Sequence, residues 1–232
     1  MLRMAELFTS EFHNFVKNKL EVYLINFIYY TLFMSSKIPI FPYPPTIDIG
    51  KHANVDDQFS QPEIDELNNI INSLDYEEGR VITKNSVGEV NKDVRKSNVK
   101  WIYPTNETMW LFTKLMKTIQ SVNSQLWNFE LIMAREPIQY TEYEDDGEYG
   151  WHIDTGHGPS AQRKVSMSVL LTNPDEYEGG DLELWPGGEI KKVERKQYTM
   201  TIFPSCIMHR VTPVTKGIRK SLVFWVGGTP YR

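Results

Sequence analysis

The sequence contains one cysteine, Cys206, among its 232 residues. A single cysteine cannot form an intrachain disulfide, and it excludes a zinc site that is built on several cysteines. Because disulfides are typical of oxidising compartments, we expect a reducing, cytoplasmic environment. Basic residues are also outnumbered, with 25 Lys and Arg against 30 Asp and Glu. This balance argues against a general nucleic-acid coat, although it allows a local basic groove.

Long apolar runs are absent as well. The most apolar stretch, residues 20–34, is shorter than the about 20 residues that a membrane-spanning helix needs, and it contains Glu21. The charged residues before it do not resemble the basic start of a secretory signal. We predict an apolar helix or extension over 1–36 that docks on the protein or on a partner and could form a homodimer. The alternatives are a helix at a membrane interface, and an upstream extension that precedes a start at Met34.

The region 37–125 is predicted to be a linker followed by helices that cover a core. Prolines are concentrated in 38–46, as in an extended linker. Ser60 and Glu63 form a capping box at the start of a helix. An apolar stripe with helical spacing follows: Ile64, Leu67, Ile71 and Leu74. A second helix near 106–122 has its buried side at Trp110, Leu111, Leu115, Ile119 and Val122.

The remaining region, 126–232, changes to short apolar runs that are separated by turn residues. Such a pattern is typical of a β-sandwich or jelly-roll barrel. We therefore predict a mainly β protein with flanking helices, whose core is a double-stranded β-helix (jelly roll) preceded by an N-terminal helical region. The predicted strands are 126–134, 137–143, 149–154, 164–172, 181–185, 189–194, 197–203, 207–214 and 219–227.

Three side chains have the composition of a metal site. His152 and Asp154 are separated by one residue, and residues i and i+2 of a strand point to the same face. His209 lies in a later predicted strand. Two histidines and one carboxylate form the facial triad of non-haem Fe(II) oxygenases, which leaves coordination positions open. The alternative is that they are unrelated polar residues at strand ends. The other histidines are predicted to be surface or loop residues: His13, His52 and His157.

A charged residue begins the last predicted strand. The inward positions of this strand are Arg219, Ser221 and Val223. A buried arginine is costly in a β-barrel unless it binds an anion, and its planar guanidinium fits a carboxylate with two parallel hydrogen bonds. The hydroxyl of Ser221 can add a third. The anion that suits an Fe(II) triad is 2-oxoglutarate, which would chelate iron at one end and bind Arg219 at the other.

Three segments carry a resemblance to a known family: YEDDGEYGWHID at 143–154, SMSVLLTNPDEYEGGDL at 166–182 and FPSCIMHRVTPVTKGIR at 203–219. With these the chain resembles the Fe(II)/2-oxoglutarate dioxygenase superfamily in its prolyl 4-hydroxylase-like branch, and within that branch the PKHD-type hydroxylases. The resemblance covers about residues 126–228.

The resemblance implies that His152, Asp154 and His209 are the iron ligands and that Arg219 anchors the 2-oxoglutarate cosubstrate. Tyr143 corresponds to a tyrosine that often hydrogen-bonds the cosubstrate. O2 would be the oxidant, and ascorbate is a candidate reductant. An aspartate at 154, rather than a small residue, favours hydroxylation over halogenation in this superfamily.

Two features depart from the family pattern. Leu170 and Leu171 replace a hydroxyl that some relatives contribute to the cosubstrate site, so Ser168 or Thr172 is expected to substitute. The segment 142–148 is unusually acidic, and it is either a lid for a basic or peptide substrate or a solvated hairpin tip. Three tryptophans could either line the pocket or pack in the core: Trp151, Trp185 and Trp225.

The expected function is hydroxylation of a C–H bond, most readily in a peptidyl proline or in a related peptide or small molecule, with release of succinate and CO2. Two alternatives stay open. The same chemistry could remove alkyl groups from nucleic-acid bases, but that function calls for a basic groove and stacking aromatics, so nucleic acid is an unfavoured partner. A non-enzymatic jelly-roll binding module is the other alternative, and it leaves the histidines, the aspartate and the arginine unexplained.

Overall fold

The computed structural model describes residues 48–82, 87–134 and 136–229 of the chain. The predicted N-terminal helix and dimer contact at 1–36, and the proline-containing segment 38–46, lie outside these residues. None of the described helices is long and apolar enough to cross a membrane.

The described part of the chain is mainly β, with two α-helices, α1 (Gln61–Asn72) and α2 (Met109–Leu126). Short 3-10 helices lie at Gly158–Gln162 and Pro174–Glu176. The strands are β1 (Ala53–Val55), β2 (Glu77–Glu78), β3 (Val81–Ile82), β4 (Val87–Glu89), β5 (Arg95–Lys96), β6 (Asn98–Ile102), β7 (Leu131–Met133), β8 (Ile138–Tyr143), β9 (Glu148–His152), β10 (Arg163–Leu170), β11 (Tyr177–Gly179), β12 (Leu182–Trp185), β13 (Lys191–Lys192), β14 (Met200–Pro204), β15 (Met208–Val211), β16 (Val214–Gly217) and β17 (Arg219–Gly228).

Both helices lie where the apolar spacing predicts them. At the start of α1 the Glu63 carboxylate accepts a hydrogen bond from the Ser60 backbone N–H at 2.9 Å, which satisfies a donor that the helix leaves free. Helix α2 continues to Leu126 rather than ending near residue 122. Its end is closed by Asn123, whose side chain makes two hydrogen bonds of 2.9 Å to the backbone of Phe129. The predicted strand 126–134 is consequently reduced to β7.

A large antiparallel sheet forms one layer of the fold, in the order β1-β14-β10-β17-β8-β6-β2, and β7 also pairs with β17. Alternation along β17 separates its two faces, because successive side chains of a strand point in opposite directions. Leu222, Phe224 and Val226 join the core that contains α1 and α2. Arg219, Ser221, Val223 and Trp225 face a cavity on the other side.

A smaller antiparallel sheet, in the order β13-β12-β15-β9-β5, faces the cavity side of the large sheet. A second core lies between the two sheets, where Tyr143 and Phe203 of the large sheet meet Leu182, Leu184 and Val211 of the smaller one. Two antiparallel sheets packed face to face around a cavity are the arrangement predicted from the spacing of the apolar runs.

Strands that precede residue 125 belong to both sheets. From this region β1, β2 and β6 join the large sheet and β5 joins the smaller one. The region 37–125 therefore supplies strands as well as helices. These strands could not be predicted because each has only two to five residues, too few for an alternating pattern to be recognised. The boundary at 125/126 stays a prediction.

We predict that Leu115→Ala in α2 destabilises the protein by about 2–5 kcal/mol, since Leu115 is fully buried between α2 and the large sheet and its removal leaves a cavity. Lys117→Ala on the exposed face of the same helix is the matched control and should change the free energy of unfolding little. Urea denaturation measures both. Equal effects of the two substitutions would contradict this packing.

Candidate active site

Two histidines lie side by side on neighbouring strands of the smaller sheet. His152 is the last residue of β9 and His209 lies in β15, and the antiparallel register makes them direct partners. Their ring centroids are 4.1 Å apart. Directly paired residues share one face of a sheet, and both rings line the cavity between the sheets.

Asp154 joins the two histidines from outside the strand. We predicted a strand over 149–154 that would put His152 and Asp154 on one face; β9 ends at His152, so that part of the prediction is wrong. The backbone N–H of Asp154 instead donates to the carbonyl oxygen of Ser205 at 2.9 Å, which fixes the turn of the chain. The hydroxyl of Ser166 donates to Oδ2 of Asp154 at 2.6 Å and lies 2.9 Å from the hydroxyl of Ser205.

Backbone carbonyls fix the orientation of both imidazole rings. Nδ1 of His152 lies 2.7 Å from the carbonyl oxygen of Gly150. Nδ1 of His209 lies 2.9 Å from that of Ile207. A carbonyl oxygen only accepts, so each Nδ1 carries the proton and each Nε2 keeps its lone pair. The Nε2 atoms of His152 and His209 lie 3.8 and 3.5 Å from carboxylate oxygens of Asp154.

The protonation states of these groups also suit a metal site. Burial lowers the pKa of His152 to about 3, with the neighbouring His209 as the second cause. Burial by itself raises the pKa of Asp154, because it disfavours the charged carboxylate. The nearby His209, His152 and Arg163 and the hydrogen bond from Ser166 outweigh burial and lower this pKa to about 2. At neutral pH the His152 ring is therefore neutral and the Asp154 carboxylate is ionised, which are the forms that bind metal.

A buried guanidinium lies on the facing sheet. Arg219 is 3% exposed, and its Nη1 donates to the hydroxyl of Ser221 at 3.0 Å. Its Nε is buried with no hydrogen-bond partner. The guanidinium carbon lies 5.6 Å from the centre of the Tyr143 ring, on the strand that pairs with β17. Among the described residues none forms an ion pair with Arg219, so this part of the chain leaves the charge without a counterion.

Gly180 makes room for the arginine. Its φ of +60° is in the left-handed region, and a Cβ there would lie 2.9 Å from Cδ of Arg219 and 2.7 Å from a methyl group of Val214. The turn at 179–180 therefore packs directly against the Arg219 side chain.

A single cavity of about 600 Å³ connects the two sites. It is lined by the three predicted metal ligands and by all three predicted cosubstrate residues: His152, Asp154, His209, Tyr143, Arg219 and Ser221. The structure therefore brings together every side chain that was predicted to form the site.

The predictions about an additional hydroxyl and about the three tryptophans are confirmed only in part. Ser168 lines the cavity, whereas the Thr172 hydroxyl donates to the Ile218 carbonyl oxygen at 3.0 Å and accepts from the Lys220 N–H at 2.7 Å, so Thr172 is not available to a cosubstrate. Trp225 lines the cavity. Trp151 and Trp185 do not; they pack against each other, and Trp185 is 41% exposed, so these two are neither pocket wall nor core.

The remaining histidines and the acidic segment lie outside the metal group. His157 is exposed at the cavity wall, and His52 is half-buried in the loop before β1. The predicted surface residue His13 lies outside the described residues. Within 142–148, Glu142 is buried and accepts a hydrogen bond from Tyr140. Residues 144–147 form the hairpin tip between β8 and β9, and Glu148 is the first residue of β9. None of these acidic side chains lines the main cavity.

Sequence reasoning missed several residues beside the site. Nη1 of Arg163 donates to the backbone oxygen of Asp154 at 3.3 Å, and its Nε donates to Glu136 at 2.7 Å. The Arg163 guanidinium also lies 4.0 Å from the Trp225 ring. Tyr149 stacks on His152 with ring centroids 3.5 Å apart. Arg163 directly precedes the predicted strand 164–172 and is the first residue of β10. A charged residue at the start of a strand is the signal that indicated Arg219.

The donor set fits a divalent transition metal. One carboxylate and two imidazole Nε2 atoms, all within 4.8 Å of one another, form a group that could hold an ion. Imidazole and carboxylate suit Fe(II), and three protein ligands leave coordination positions for other molecules. The unpartnered Nε of Arg219 in the same cavity fits the distal carboxylate of a diacid such as 2-oxoglutarate.

Comparisons with known proteins agree with this geometry. Residues 138–227 match the family model of the 2OG-Fe(II) oxygenase superfamily. A PKHD-type hydroxylase of Acidovorax ebreus is 34% identical over 96 residues, which are 39% of this chain and 42% of that protein. One of Xylella fastidiosa (strain 9a5c) is 35% identical over 100 residues, or 39% of this chain and 44% of that protein. The chain thus spans less than half the length of these curated relatives.

Solved structures show the same fold. A prolyl hydroxylase from Trichoplax adhaerens, in complex with a hypoxia inducible factor peptide, has a TM-score of 0.63 and 16% identity over 78% of this chain and 86% of that one. A Pseudomonas putida prolyl-4-hydroxylase has a TM-score of 0.58 and 18% identity over 76% of this chain and 92% of that one.

Residues 138–227 thus match the 2OG-Fe(II) oxygenase superfamily, and this same segment contains the three residues of the His-Asp-His group. Both curated relatives are PKHD-type hydroxylases, so the chain is similar to that branch over the matched residues.

We predict that Ser166→Ala weakens metal binding by about 10- to 100-fold, because the Ser166 hydroxyl holds one carboxylate oxygen of Asp154 and such supporting groups typically contribute this much to metal affinity. Titration with Mn(II) in the absence of 2-oxoglutarate measures the effect. Ser168→Ala, on the same strand and also at the cavity, is the matched control and should leave Mn(II) affinity unchanged. An unchanged affinity in Ser166→Ala would show that the carboxylate needs no such support.

Proposed function

We propose that the protein is an Fe(II)- and 2-oxoglutarate-dependent dioxygenase that hydroxylates a C–H bond. One observation carries this proposal: a His-Asp-His group lines the same cavity as a buried arginine that has no counterion among the described residues. Neither part is explained by stability, since buried polar groups without partners cost free energy.

In this proposal His152, Asp154 and His209 hold the iron. The carbonyls of Gly150 and Ile207 keep the imidazole Nε2 atoms directed towards Asp154. With Fe(II) and 2-oxoglutarate bound, the site supplies an oxidant that takes hydrogen from a C–H bond and returns a hydroxyl, consuming O2 and releasing succinate and CO2. The protein's part is to fix the ligands before either molecule binds.

Arg219 is the residue that we assign to the distal carboxylate of 2-oxoglutarate. Its guanidinium is already held by Ser221, so little side-chain entropy is lost when an anion binds. Tyr143 lies against the same guanidinium and is proposed as a further contact of the cosubstrate. Ser168 takes the place of the hydroxyl that Leu170 and Leu171 lack, because Thr172 is bound by the backbone.

The proposed substrate is a peptidyl proline or a related peptide or small molecule. The support is that structural neighbours are named as prolyl hydroxylases, one of them in complex with a peptide. The cavity is open to the surface at residues such as Ile153 and His157, so a substrate could reach the metal group from that side. A cytoplasmic location and ascorbate as reductant belong to the same proposal.

The decisive experiment is anaerobic addition of Fe(II) and 2-oxoglutarate to the folded protein. A weak visible charge-transfer band is expected, and it should be absent in His152→Ala. Exposure to O2 should then give succinate, and mass spectrometry of proline-containing peptides, free amino acids and nucleotides should find a gain of one oxygen in one class. Correctly folded protein that shows no band would refute the proposal.

We predict that Arg219→Leu weakens 2-oxoglutarate binding by about 10- to 100-fold, which corresponds to the loss of a charge-assisted hydrogen-bonded pair. Titrating 2-oxoglutarate anaerobically into the Fe(II) protein and following the charge-transfer band gives the affinity. Lys220→Leu removes a cation from the adjacent, outward position of β17 and should leave the affinity unchanged. Equal losses in both variants would point to general electrostatics rather than to a binding site at Arg219.

A further inference from the structure

A second buried guanidinium lines the same cavity. Arg95, in the short strand β5 at the edge of the smaller sheet, is 5% exposed. Its Nε donates to the hydroxyl of Ser97 at 2.8 Å and its Nη1 donates to the backbone oxygen of Arg80 at 3.2 Å. Its Nη2 is buried and has no hydrogen-bond partner among the residues that the structure describes. Arg95 is therefore held in place while part of its fork stays unused.

Arg95 also lacks a counterion. Among the described residues no carboxylate forms an ion pair with it, and both of its protein acceptors are neutral. Two of the acidic residues on the cavity wall have cations of their own: Glu78 pairs with Lys92 at 3.0 Å, and Glu136 pairs with Arg163. A third acidic residue of the wall, Asp154, belongs to the metal group, and a fourth, Glu77, is exposed on β2.

Arg95 lies near the metal group, to which it is connected through the ring of Tyr149. Arg95 pairs with Tyr149 across β5 and β9, and its guanidinium carbon lies 4.8 Å from the centre of the Tyr149 ring. The same ring stacks on His152, with 3.5 Å between the ring centroids. The distance from Arg95 to the metal group can thus be bridged by two or three extended residues of roughly 3.5 Å each.

Arg95 and Arg219 lie on different sheets of the fold. Arg219 lies on β17 of the large sheet beside Ser221, whereas Arg95 lies on the smaller sheet behind Tyr149. In the proposed function the distal carboxylate of 2-oxoglutarate binds Arg219, and Arg95 is left without an anion. A buried arginine with a free donor and no counterion is costly, and a ligand carboxylate would satisfy both needs at once.

We propose that Arg95 binds a carboxylate of the substrate, so that the substrate is a small carboxylic acid or a peptide with an acidic group within about two residues of the oxidised carbon. This inference rests on the proposed function, because it assigns the substrate class of that same site. It makes Arg95 a specificity-determining residue: a substrate with an amide in place of the acid would leave the guanidinium buried and unpaired.

The experiment compares acid and amide members of matched pairs. The probes are N-acetyl amino acids with their amides, and proline dipeptides that carry Asp or Asn, or Glu or Gln, beside the proline. Isothermal titration calorimetry measures their binding to the full chain loaded with Mn(II) and 2-oxoglutarate. In at least one pair the acid should bind about 10- to 100-fold more tightly than the amide. Arg95→Gln should abolish that preference, and Arg95→Lys, which keeps the charge but loses the planar fork, should retain part of it.

Lys216→Gln, an exposed cation outside the cavity, is the control for net charge and should keep the full preference. The charge-transfer band with Fe(II) and 2-oxoglutarate should persist in Arg95→Gln, which shows that this variant is folded. The proposal is overturned if the wild-type protein binds no acid better than its amide, or if Arg95→Gln keeps the preference. If the acid preference depends on Arg95 but the band never forms, the carboxylate site stands and the oxygenase function fails.

Discussion

The pairing of His152 with His209 across β9 and β15 is the contact on which the rest of the site depends. Side chains alternate along a strand, so a register slip of one residue would turn one imidazole out of the cavity. The register places both Nε2 atoms near one point, and Asp154 is brought to that point by the Ser205 carbonyl and the Ser166 hydroxyl. The metal group is therefore a product of strand pairing in both sheets, since Ser166 and Ser205 belong to the large sheet and its following turn.

The buried charges of the cavity are a second constraint on the site. The site buries one carboxylate in the metal group, and on its walls it buries two arginines that have no counterion among the described residues. Arg163 differs from these two, because it is neutralised by Glu136 and packs on Trp225. A protein selected for stability alone would pair or remove such charges. Unpaired guanidiniums at two separate positions indicate that two separate anions complete the site, one for each sheet.

Much of this could be predicted from the sequence, for identifiable physical reasons. The stripe Ile64, Leu67, Ile71 and the capping box at Ser60 predicted α1 because helix periodicity and helix ends are local properties. Arg219 could be found because an arginine at an inward strand position is an anomaly that needs an explanation. His152, Asp154 and His209 stood out by ligand chemistry and spacing, although the strand that was expected to carry Asp154 ends before it.

The parts that could not be predicted depend on contacts between distant segments. Arg95 lies in a strand of two residues that has no pattern of its own, and only its pairing with β9 places it behind Tyr149. Thr172 looked like a hydroxyl available to the cosubstrate, but the backbone of residues 218 and 220 occupies it. Metal and cosubstrate sites are set by ligand types that a sequence displays directly. The residues that we propose to bind substrate depend on which edge strand pairs with β9, and this pairing is a property of the three-dimensional fold.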